Sequence, residues 1–319
     1  MDRLNRLVGV ILAAGKGSRM LPVTARWPKA VLPILAKPLV HHQIELLRGV
    51  GVRKVFVVVG HLGAEVTRAL GNRYDDVEIE YVEQTETLGI AHALGQLEGR
   101  VQQPFILCLG DIYFVSSRLR AMIDLYGHKN TVGVLASKVE ARPEMIRRNF
   151  AILADDEGRV HRVIEKPRSV QNKLKGCGIY LFGPEVFDAI RRTPRTAMRD
   201  EYEITDTIQI MIDDGHRVVH ADVIDEDLNL TVPEDLLSIN AWELDRRGLA
   251  HHFAGDAPDL AGRHLARVVV GRGATLGADV DLRDCVIFDG SVVPDGARLT
   301  RAIVTPEGVL QCQPAEGAA

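Results

Sequence analysis

The sequence predicts an α/β protein with a doubly wound, mostly parallel (Rossmann-like) sheet, followed by a short C-terminal left-handed parallel β-helix. Continuous apolar runs such as LVGVILAA, near the N-terminus, are typical of strands that are buried on both faces. These runs alternate with segments of helical periodicity over the first two-thirds of the chain. After Gly262 the pattern changes to a six-residue repeat.

The first part of the chain alternates strands and helices in regular order. The predicted strands are LVGVILAA, KVFVVVG, VEIEYVE, PFILCLGD and TVGVLASKV. The predicted helices between them are PLVHHQIELLRGVG, AEVTRALG, IAHALGQLEG and RLRAMIDLYGHK. Pro38 and Gly51 mark the two ends of the first helix. This order indicates a parallel sheet with helices on both faces.

The middle of the chain, about residues 149–230, is less regular. It begins with a predicted hairpin, FAILADDEGRVHRVIEKP, which turns at Asp156–Gly158. A further strand, GCGIYLF, is followed by the helices PEVFDAIRR and ITDTIQIMIDDGH. The last predicted helix is PEDLLSINAWELDRRG, with Pro233 at its N-terminus.

The C-terminal repeat predicts a separate domain. Every sixth position is apolar in the series Val270, Leu276, Leu282 and Phe288, which matches the flat coils of a left-handed parallel β-helix. An ordinary β-meander is the alternative. We therefore expect a first domain over 1–248, the β-helix over 262–310 and a disordered tail over 311–319. So short a solenoid leaves an open end, which predicts a homo-oligomer.

Composition excludes several functional classes. The 319 residues carry a net charge of -4, so the chain has no global basic field for nucleic acid. No apolar run approaches the roughly 18 residues of a membrane span, and the N-terminus does not read as a signal peptide. The four cysteines are scattered, without zinc or disulfide spacing. A cytoplasmic location and no membrane partner are expected.

A glycine-rich loop with fixed cations follows the first strand. Its core, Ala14–Arg19, ends in Gly-Ser-Arg, which does not fit a Walker A motif. Met20 replaces the third glycine of a dinucleotide fingerprint. Glycines still allow close approach of the backbone to a ligand, and successive N–H groups form a concave anion site. The loop therefore predicts a polyphosphate ligand.

The longer segment LAAGKGSRMLPVTARWPKAVLPI closely resembles the signature of the sugar-phosphate nucleotidylyltransferases, also called nucleotide-sugar pyrophosphorylases. Further pieces follow in that family's order: EQTETLGIAHAL, LGD, EKP, GCGIYLF, EYEITD and VPEDLLSIN. The resemblance covers about residues 8–245. A terminal left-handed β-helix also occurs in several branches of the family.

The resemblance implies a set of nucleotide-binding residues. Arg19 and Lys29 match the pair that grips the triphosphate and stabilises the departing pyrophosphate. Gln84 and Gly89 match positions that read the base, where an amide suits a pyrimidine edge and favours UTP or dTTP. The remaining nucleotide-binding positions are Leu12, Ala13, Ala14, Gly15, Gly17 and Ser18.

The resemblance also implies a Mg²⁺ site. Asp111 ends a buried strand, and strand ends are where doubly wound sheets bind ligands. The family's second metal ligand is usually an Asp, whereas this chain has Asn229. An amide oxygen coordinates Mg²⁺ but neutralises no charge, so metal binding is expected to weaken. The acidic run of Asp225, Glu226 and Asp227 is an alternative source of ligands.

The acceptor site is implied by a third group of residues. Lys166 matches the residue that orients the attacking sugar phosphate, and the sugar phosphate would be bound by Gly110, Glu165, Gly178 and Glu201. Two departures from the family pattern matter: Ile112 stands where a polar Asn is common, and Phe150-Ala151-Ile152 replaces a Tyr-Gly segment. Both predict a more apolar acceptor pocket.

Together these features predict an enzyme of the EC 2.7.7 type, which transfers a nucleotidyl group from UTP or dTTP to a sugar 1-phosphate by in-line displacement. Its catalytic residues would be Arg19, Lys29, Asp111 and Lys166. One alternative is a cytidylyltransferase with a phosphocholine- or phosphonate-type acceptor. Another is a non-catalytic regulatory subunit that binds a nucleotide sugar. The sugar, the exact base and any effector are left open.

Overall fold

The computed structural model describes residues 7–170, 172–197, 200–256 and 260–313. They fall into two compact units. The first comprises the described residues of Met1–Lys16 together with Val40–Asp227, and the second comprises Gly17–Leu39 with the described residues of Leu228–Ala319. Among the described helices, none has the length and apolar character that crossing a membrane requires.

The first unit carries the alternation of strands and helices that the sequence predicts. Its helices are α1 (Leu39–Gly49, from Val40 onward), α2 (Gly63–Leu70), α3 (Ile90–Gly95), α4 (Arg120–Tyr126), α5 (Pro143–Arg147), α6 (Val186–Arg192) and α7 (Ile204–Asp213). Its strands are β1 (Val8–Ala13), β4 (Lys54–Val59), β5 (Arg73–Tyr74), β6 (Val77–Glu83), β7 (Phe105–Leu109), β8 (Ile112–Val115), β9 (Thr131–Val139), β10 (Phe150–Ala154), β11 (Val160–Glu165), β12 (Leu174–Phe182) and β13 (Arg217–Asp222).

Ten of these strands form one mixed sheet with a parallel centre. In the order β7-β1-β4-β6, every neighbouring pair is parallel, as the apolar runs predict. Strand β12 lies antiparallel to both β7 and β9, and β9 in turn pairs in parallel with β13. The predicted hairpin is confirmed, because β10 and β11 pair antiparallel around a turn at Gly158. The α/β class and the parallel centre of the sheet were thus predictable from the apolar pattern.

The core of this unit lies between the sheet and its helices. Its largest fully buried side chains include Phe105, Tyr180 and Phe182, and the Phe182 ring contacts each of the other two. Helices α3, α6 and α7 contribute the apolar faces that cover the same cluster. Burial of this apolar area is the main term that stabilises the sheet.

The second unit joins an early loop to the C-terminal part of the chain. Its elements are the strands β2 (Pro33–Ile34), β3 (Lys37–Pro38), β15 (His251–Phe253), β16 (His264–Val270), β17 (Thr275–Leu276), β18 (Asp281–Ile287), β19 (Val292–Val293), β20 (Arg298–Thr300), β21 (Ala302–Thr305) and β22 (Gly308–Gln311), and the helix α8 (Pro233–Arg247). Strand β14 (Glu226–Asn229) runs from the end of the first unit into the second.

The C-terminal strands stack in parallel with a constant offset. His251 pairs with Val268, and Val268 pairs with Cys285; Val286 pairs with Ile303 in the next layer. The predicted hexad positions Val270, Leu276, Leu282 and Phe288 are buried, and the first three belong to the core cluster of these strands. Among the described C-terminal strands, only the last pair, β21 with β22, is antiparallel.

The predicted domains follow chain order, whereas the compact units do not. Residues 17–39 and 228–248, which the sequence places in the first domain, belong to the second compact unit, and the domain bounds stay a prediction. Of the predicted tail, residues 314–319 lie outside the described residues, and β22 extends to Gln311.

Candidate active site

The ends of the central strands bring several predicted nucleotide-binding residues together in the first unit. Leu12 and Ala13 end β1, where Leu12 pairs with Leu109 of β7. Ala14 follows directly, and a Cβ atom added to Gly60, at the end of β4, would lie 2.9 Å from the Ala14 carbonyl oxygen. The chain segments therefore pack backbone to backbone at this edge of the sheet, which is the edge where parallel sheets bind ligands. Gly15 and Lys16, the next residues of the loop, are exposed.

Asp111 is fixed at this edge by the preceding residue, Gly110, a position where a side chain would not fit. The Gly110 N–H donates to the Leu12 carbonyl oxygen at 2.9 Å, and a Cβ atom on Gly110 would lie 2.4 Å from the same oxygen. Gly110 thus allows β7 to approach the end of β1. Asp111 follows it in the turn to β8 and is half-buried. The predicted metal ligand therefore sits on a fixed backbone.

A residue that the sequence analysis did not identify, Gln43 of α1, fixes the same turn. Its Nε2 donates to the carbonyl oxygens of Leu109 and Ile112, both at 2.8 Å. These two carbonyls lie on either side of Gly110 and Asp111. Gln43 is 1% exposed, and its Oε1 has no hydrogen-bond partner among the described residues. A polar residue on the apolar side of a predicted helix was the signal that could have revealed it.

The predicted base reader Gln84 is buried and held by a histidine. Gln84 is 4% exposed, and its backbone N–H donates to the Val59 carbonyl oxygen at 2.7 Å, which places it at the end of β6. Its Nε2 lies 2.8 Å from Nδ1 of His92. Because the amide nitrogen is a donor, His92 Nδ1 is the acceptor. His92, on α3, was not identified from the sequence, although it lies within the segment LGIAHAL.

Gly89 brings the base-reading loop against the segment that carries Glu201. Gly89 has φ +102°, and an added Cβ atom would lie 2.7 Å from the Tyr202 carbonyl oxygen and 3.0 Å from the Glu201 Cβ. The Tyr202 N–H donates to the Leu88 carbonyl oxygen at 2.8 Å, and the Ala91 N–H donates to the Tyr202 carbonyl oxygen at 3.0 Å. A predicted base-binding residue and a predicted sugar-binding residue are thus adjacent.

Glu165 and Lys166 adjoin the end of β11. Lys166 has φ +41°, which is rare for a residue with a side chain, and its N–H donates to the Asn149 carbonyl oxygen at 2.8 Å. Its Nζ lies 3.8 Å from Glu165 Oε1, and Thr205 Oγ1 donates to Glu165 Oε2 at 3.5 Å. The carboxylate is half-buried and the ammonium group is more exposed. The pair suits a ligand with both hydroxyl and phosphate groups.

Gly178 packs closely against two apolar side chains. It has φ +72°, and an added Cβ atom would lie 2.9 Å from Ile112 Cδ1 and 3.1 Å from Leu109 Cδ1. Ile112 is therefore next to the position that the resemblance assigns to the sugar ring. This neighbourhood agrees with the expectation of a more apolar acceptor pocket.

The phosphate loop proper, Gly17–Leu32, belongs to the second unit. Gly17 has φ +64° and precedes a short 3-10 turn, Ser18–Met20, on which Ser18 and Arg19 are exposed. A Cβ atom on Gly17 would lie 3.3 Å from Lys29 Cε and 3.0 Å from Thr24 Cγ2. Thr24 Oγ1 donates to the Gly17 carbonyl oxygen at 2.7 Å. The structure thus places Gly17 beside Lys29, and Lys29 is half-buried at the start of its own 3-10 turn, Lys29–Val31.

The acidic run before Asn229 has structural partners. Lys175 Nζ donates to both carboxylate oxygens of Asp227, at 2.7 and 2.8 Å, and both side chains are 1% exposed. Burial raises the pKa of the Asp227 carboxyl, although the Lys175 ammonium group acts in the opposite direction. Glu226 pairs with Lys138 at 2.6 Å. Asp225 accepts a hydrogen bond from the Ser117 N–H at 2.8 Å. The run is therefore engaged in holding the fold.

The described residues contain no group of three or more His, Cys, Asp or Glu side chains arranged to hold a metal ion. Mg²⁺ commonly uses only one or two protein ligands together with substrate phosphates and water. Asp111 fits that pattern. Asn229 ends β14 in the second unit and is half-buried. Its role as a second ligand stays a prediction.

Comparison with known proteins identifies the family. The sequence profile of the nucleotidyl transferase family matches residues 8–243. A low-salt glycan biosynthesis nucleotidyltransferase, Agl11 of Haloferax volcanii, is 34% identical over 76% of this chain and 67% of its own length. The UTP–glucose-1-phosphate uridylyltransferase AglF of the same organism is 30% identical over 74% of this chain and 89% of its own length.

A solved structure supports the fold. A UDP-glucose pyrophosphorylase in complex with UDP-glucose superposes with a TM-score of 0.69 and covers 76% of this chain and 99% of its own. Its sequence identity is 22%, so this likeness bears on the fold alone. The profile match and the relatives confirm the predicted enzyme class: the chain belongs to the nucleotidyl transferase family.

Proposed function

We propose that this enzyme transfers a nucleotidyl group from a pyrimidine nucleoside triphosphate, UTP or dTTP, to a sugar 1-phosphate, forming a nucleoside diphosphate sugar and pyrophosphate. The observation that carries the proposal is the contact of Gly89 with the Glu201–Tyr202 segment. It joins a predicted base-binding turn to a predicted sugar-binding residue within the first unit. The name of the relative AglF, a UTP–glucose-1-phosphate uridylyltransferase, agrees with this substrate class.

The reaction is a single displacement at phosphorus. An oxygen of the sugar phosphate forms a bond to the α-phosphorus, while the bond from the α-phosphorus to the oxygen that bridges to the β-phosphorus breaks. Lys166 would bind the sugar phosphate and orient its attacking oxygen. Arg19 and Lys29 would bind the triphosphate and stabilise the charge that develops on pyrophosphate. Positioning and electrostatics supply the rate acceleration, and no covalent protein intermediate is needed.

Asp111 would hold a divalent cation, for which Mg²⁺ is the expected ion. Its carboxylate is a hard oxygen ligand on a fixed turn, half-buried at the ligand-binding edge of the sheet. Such an ion offsets the repulsion between the phosphates of the two substrates. Asn229 would add a neutral oxygen ligand. A weaker metal affinity than that of a two-Asp site is expected.

Gln84 would select the base. His92 occupies one amide hydrogen of Gln84 and so fixes its orientation. The remaining hydrogen and the amide oxygen are then available for the acceptor and donor groups of a uracil or thymine edge. The buried position of Gln84 makes a mismatch costly, because an unpaired polar group would result.

The assay that tests the proposal is pyrophosphate release. Purified protein with Mg²⁺ is offered UTP, dTTP, CTP, GTP and ATP in combination with hexose 1-phosphates, amino-sugar 1-phosphates and phosphocholine. We expect the highest kcat/KM with UTP or dTTP and a sugar 1-phosphate. Preference for CTP with phosphocholine would replace this proposal with the cytidylyltransferase alternative. Calorimetric binding of a nucleotide sugar without any turnover would instead favour a regulatory subunit.

Three further expectations remain proposals. The constant parallel offset of the C-terminal strands supports a short β-helix, whose left-handed sense is expected from the hexad pattern. A homo-oligomer, tested by light scattering, is expected from the open ends of such a coil. A cytoplasmic location follows from the class of substrates proposed.

A further inference from the structure

We infer that the C-terminal strands position the phosphate loop for the nucleotide, and that Trp27 resting on Phe288 is the contact through which they do so. The inference rests on the proposed function, because it assigns a role toward the triphosphate. It gives the C-terminal part of the chain a task in the reaction besides assembly. Trp27 and Phe288 both belong to the second unit.

Trp27 packs edge-on against a residue that is firmly held by the C-terminal strands. The ring centroids of Trp27 and Phe288 are 5.2 Å apart and their planes lie at 77°. Phe288 is 4% exposed, and its N–H donates to the Val304 carbonyl oxygen of the next layer at 2.8 Å. The geometry is the favourable edge-to-face arrangement of aromatic pairs. Phe288 therefore offers a rigid surface to the loop.

Trp27 is in turn central to the loop that carries the cations. Its N–H donates to the Val23 carbonyl oxygen at 3.2 Å, which closes the turn before it. Only Pro28 separates Trp27 from Lys29, and the Val31 N–H donates to the Pro28 carbonyl oxygen at 3.0 Å. The Lys29 side chain then passes Gly17. Movement of the Trp27 ring would move the Lys29 backbone with it.

The loop has little regular structure of its own to fix it. Its ordered elements are the 3-10 turns at Ser18–Met20, Val23–Ala25 and Lys29–Val31, and the hairpin of β2 and β3 follows it. A second link to the C-terminal strands, between Arg26 and Glu307, is a 2.6 Å ion pair with both side chains exposed, so it contributes little. The aromatic contact therefore joins the loop to the C-terminal strands two residues before Lys29.

A contact that only stabilises the fold and a contact that positions the loop differ in what a mutation changes. If the contact were purely structural, its loss would lower the unfolding temperature without selectively altering the affinity for one substrate. If the contact positions the loop, its loss would selectively weaken triphosphate binding, because binding would then have to order the loop. The affinity for the sugar phosphate would change little.

The experiment compares Phe288→Leu with Phe253→Leu, a matched control from the same set of strands. Phe253 lies on β15, packs against the core cluster of these strands and contacts His251. We expect Phe288→Leu to raise the KM for UTP about tenfold, with the KM for the sugar phosphate within about twofold. Phe253→Leu should lower the unfolding temperature but leave both KM values near wild type. Trp27→Phe, which keeps an aromatic ring, should behave almost as wild type, whereas Trp27→Leu should match Phe288→Leu.

A second readout does not depend on turnover. Trp242→Phe leaves Trp27 as the one tryptophan of the two in the sequence, so its fluorescence reports on the loop. In that background we expect Phe288→Leu to increase acrylamide quenching of Trp27, and pyrophosphate binding to reverse part of that increase. Equal KM shifts for both substrates, or unchanged quenching, would overturn the inference. Absence of turnover and of nucleotide binding in the wild type would overturn the proposed function instead.

Discussion

The predicted site residues fall into two parts, one in each unit, and the two parts are held in different ways. In the first unit the predicted base, sugar and metal residues are fixed by the backbone of a sheet, because strand ends and glycines pack against one another at Gly60, Gly89 and Gly110. In the second unit the predicted phosphate-binding cations lie on a loop of short turns, and side chains from much later in the sequence hold it. The first part is held by its own strands and glycines, whereas the second part is held by residues from much later in the sequence.

Each part nevertheless depends on one buried amide. Gln43 donates to the two carbonyl oxygens that flank Gly110 and Asp111. Asn240, on α8, accepts from the Leu35 N–H at 2.8 Å and donates to the Pro33 carbonyl oxygen at 2.9 Å, so it fixes the hairpin that ends the loop. An amide suits this task because it carries both donors and an acceptor.

The largest expected effect is that of removing the charge of Asp111. Asp111→Asn keeps the shape of the turn, so we expect the fold to survive while kcat/KM falls by about 10³-fold, since the divalent cation loses its charged ligand. Steady-state assays over a range of Mg²⁺ concentrations measure the loss, and thermal unfolding verifies the fold. Asp124→Asn, on the exposed face of α4, is the control and should stay near wild type. Wild-type turnover in Asp111→Asn would contradict the site.

The next largest effect concerns the buried ion pair between Lys175 and Asp227 in the first unit. Lys175→Met leaves the Asp227 carboxylate buried without its partner, which we expect to cost about 3–5 kcal/mol in the free energy of unfolding. The double variant Lys175→Met/Asp227→Leu removes both charges and should regain most of that loss. Urea unfolding measures both. If Lys175→Met were as stable as the wild type, the buried contact between Lys175 and Asp227 would not be an ion pair that stabilises the fold.

Variants of the two buried amides, Gln43 and Asn240, test whether the two parts are supported independently. Gln43→Leu and Asn240→Leu each remove buried hydrogen bonds, at a cost of about 1–3 kcal/mol in unfolding free energy. Their effects on catalysis should differ. Gln43→Leu should lower kcat and raise the Mg²⁺ concentration needed, whereas Asn240→Leu should mainly raise the KM for UTP. Identical kinetic changes in the two variants would mean that the two parts are not supported independently.

Much of the first part could be predicted from the sequence, whereas the support of the second could not. Apolar runs marked β1, β4 and β7, and their ends marked Asp111. The antiparallel position of β12 between β7 and β9 was not predictable, because its apolar pattern resembles that of a parallel strand. Nor could Phe288 be linked to Trp27, since the hexad pattern explains the burial of Phe288 without reference to any partner.

The smallest expected effect concerns the hairpin of β2 and β3, and it tests whether Asn240 imposes the backbone conformation of that hairpin. Leu35 and Ala36, which connect β2 to β3, have φ values of +45° and +56°, a conformation that costs about 1–2 kcal/mol for a residue with a side chain. Ala36→Gly removes that cost at Ala36 but adds about 0.5–1 kcal/mol of chain entropy to the unfolded state. We expect a net stabilisation of about 0.5 kcal/mol in urea unfolding, with kcat and both KM values unchanged. Ala25→Gly, at an ordinary helical turn of the same loop, should destabilise instead. If both glycine variants lost stability equally, the hairpin would not be strained, and Asn240 would not be needed to impose its shape.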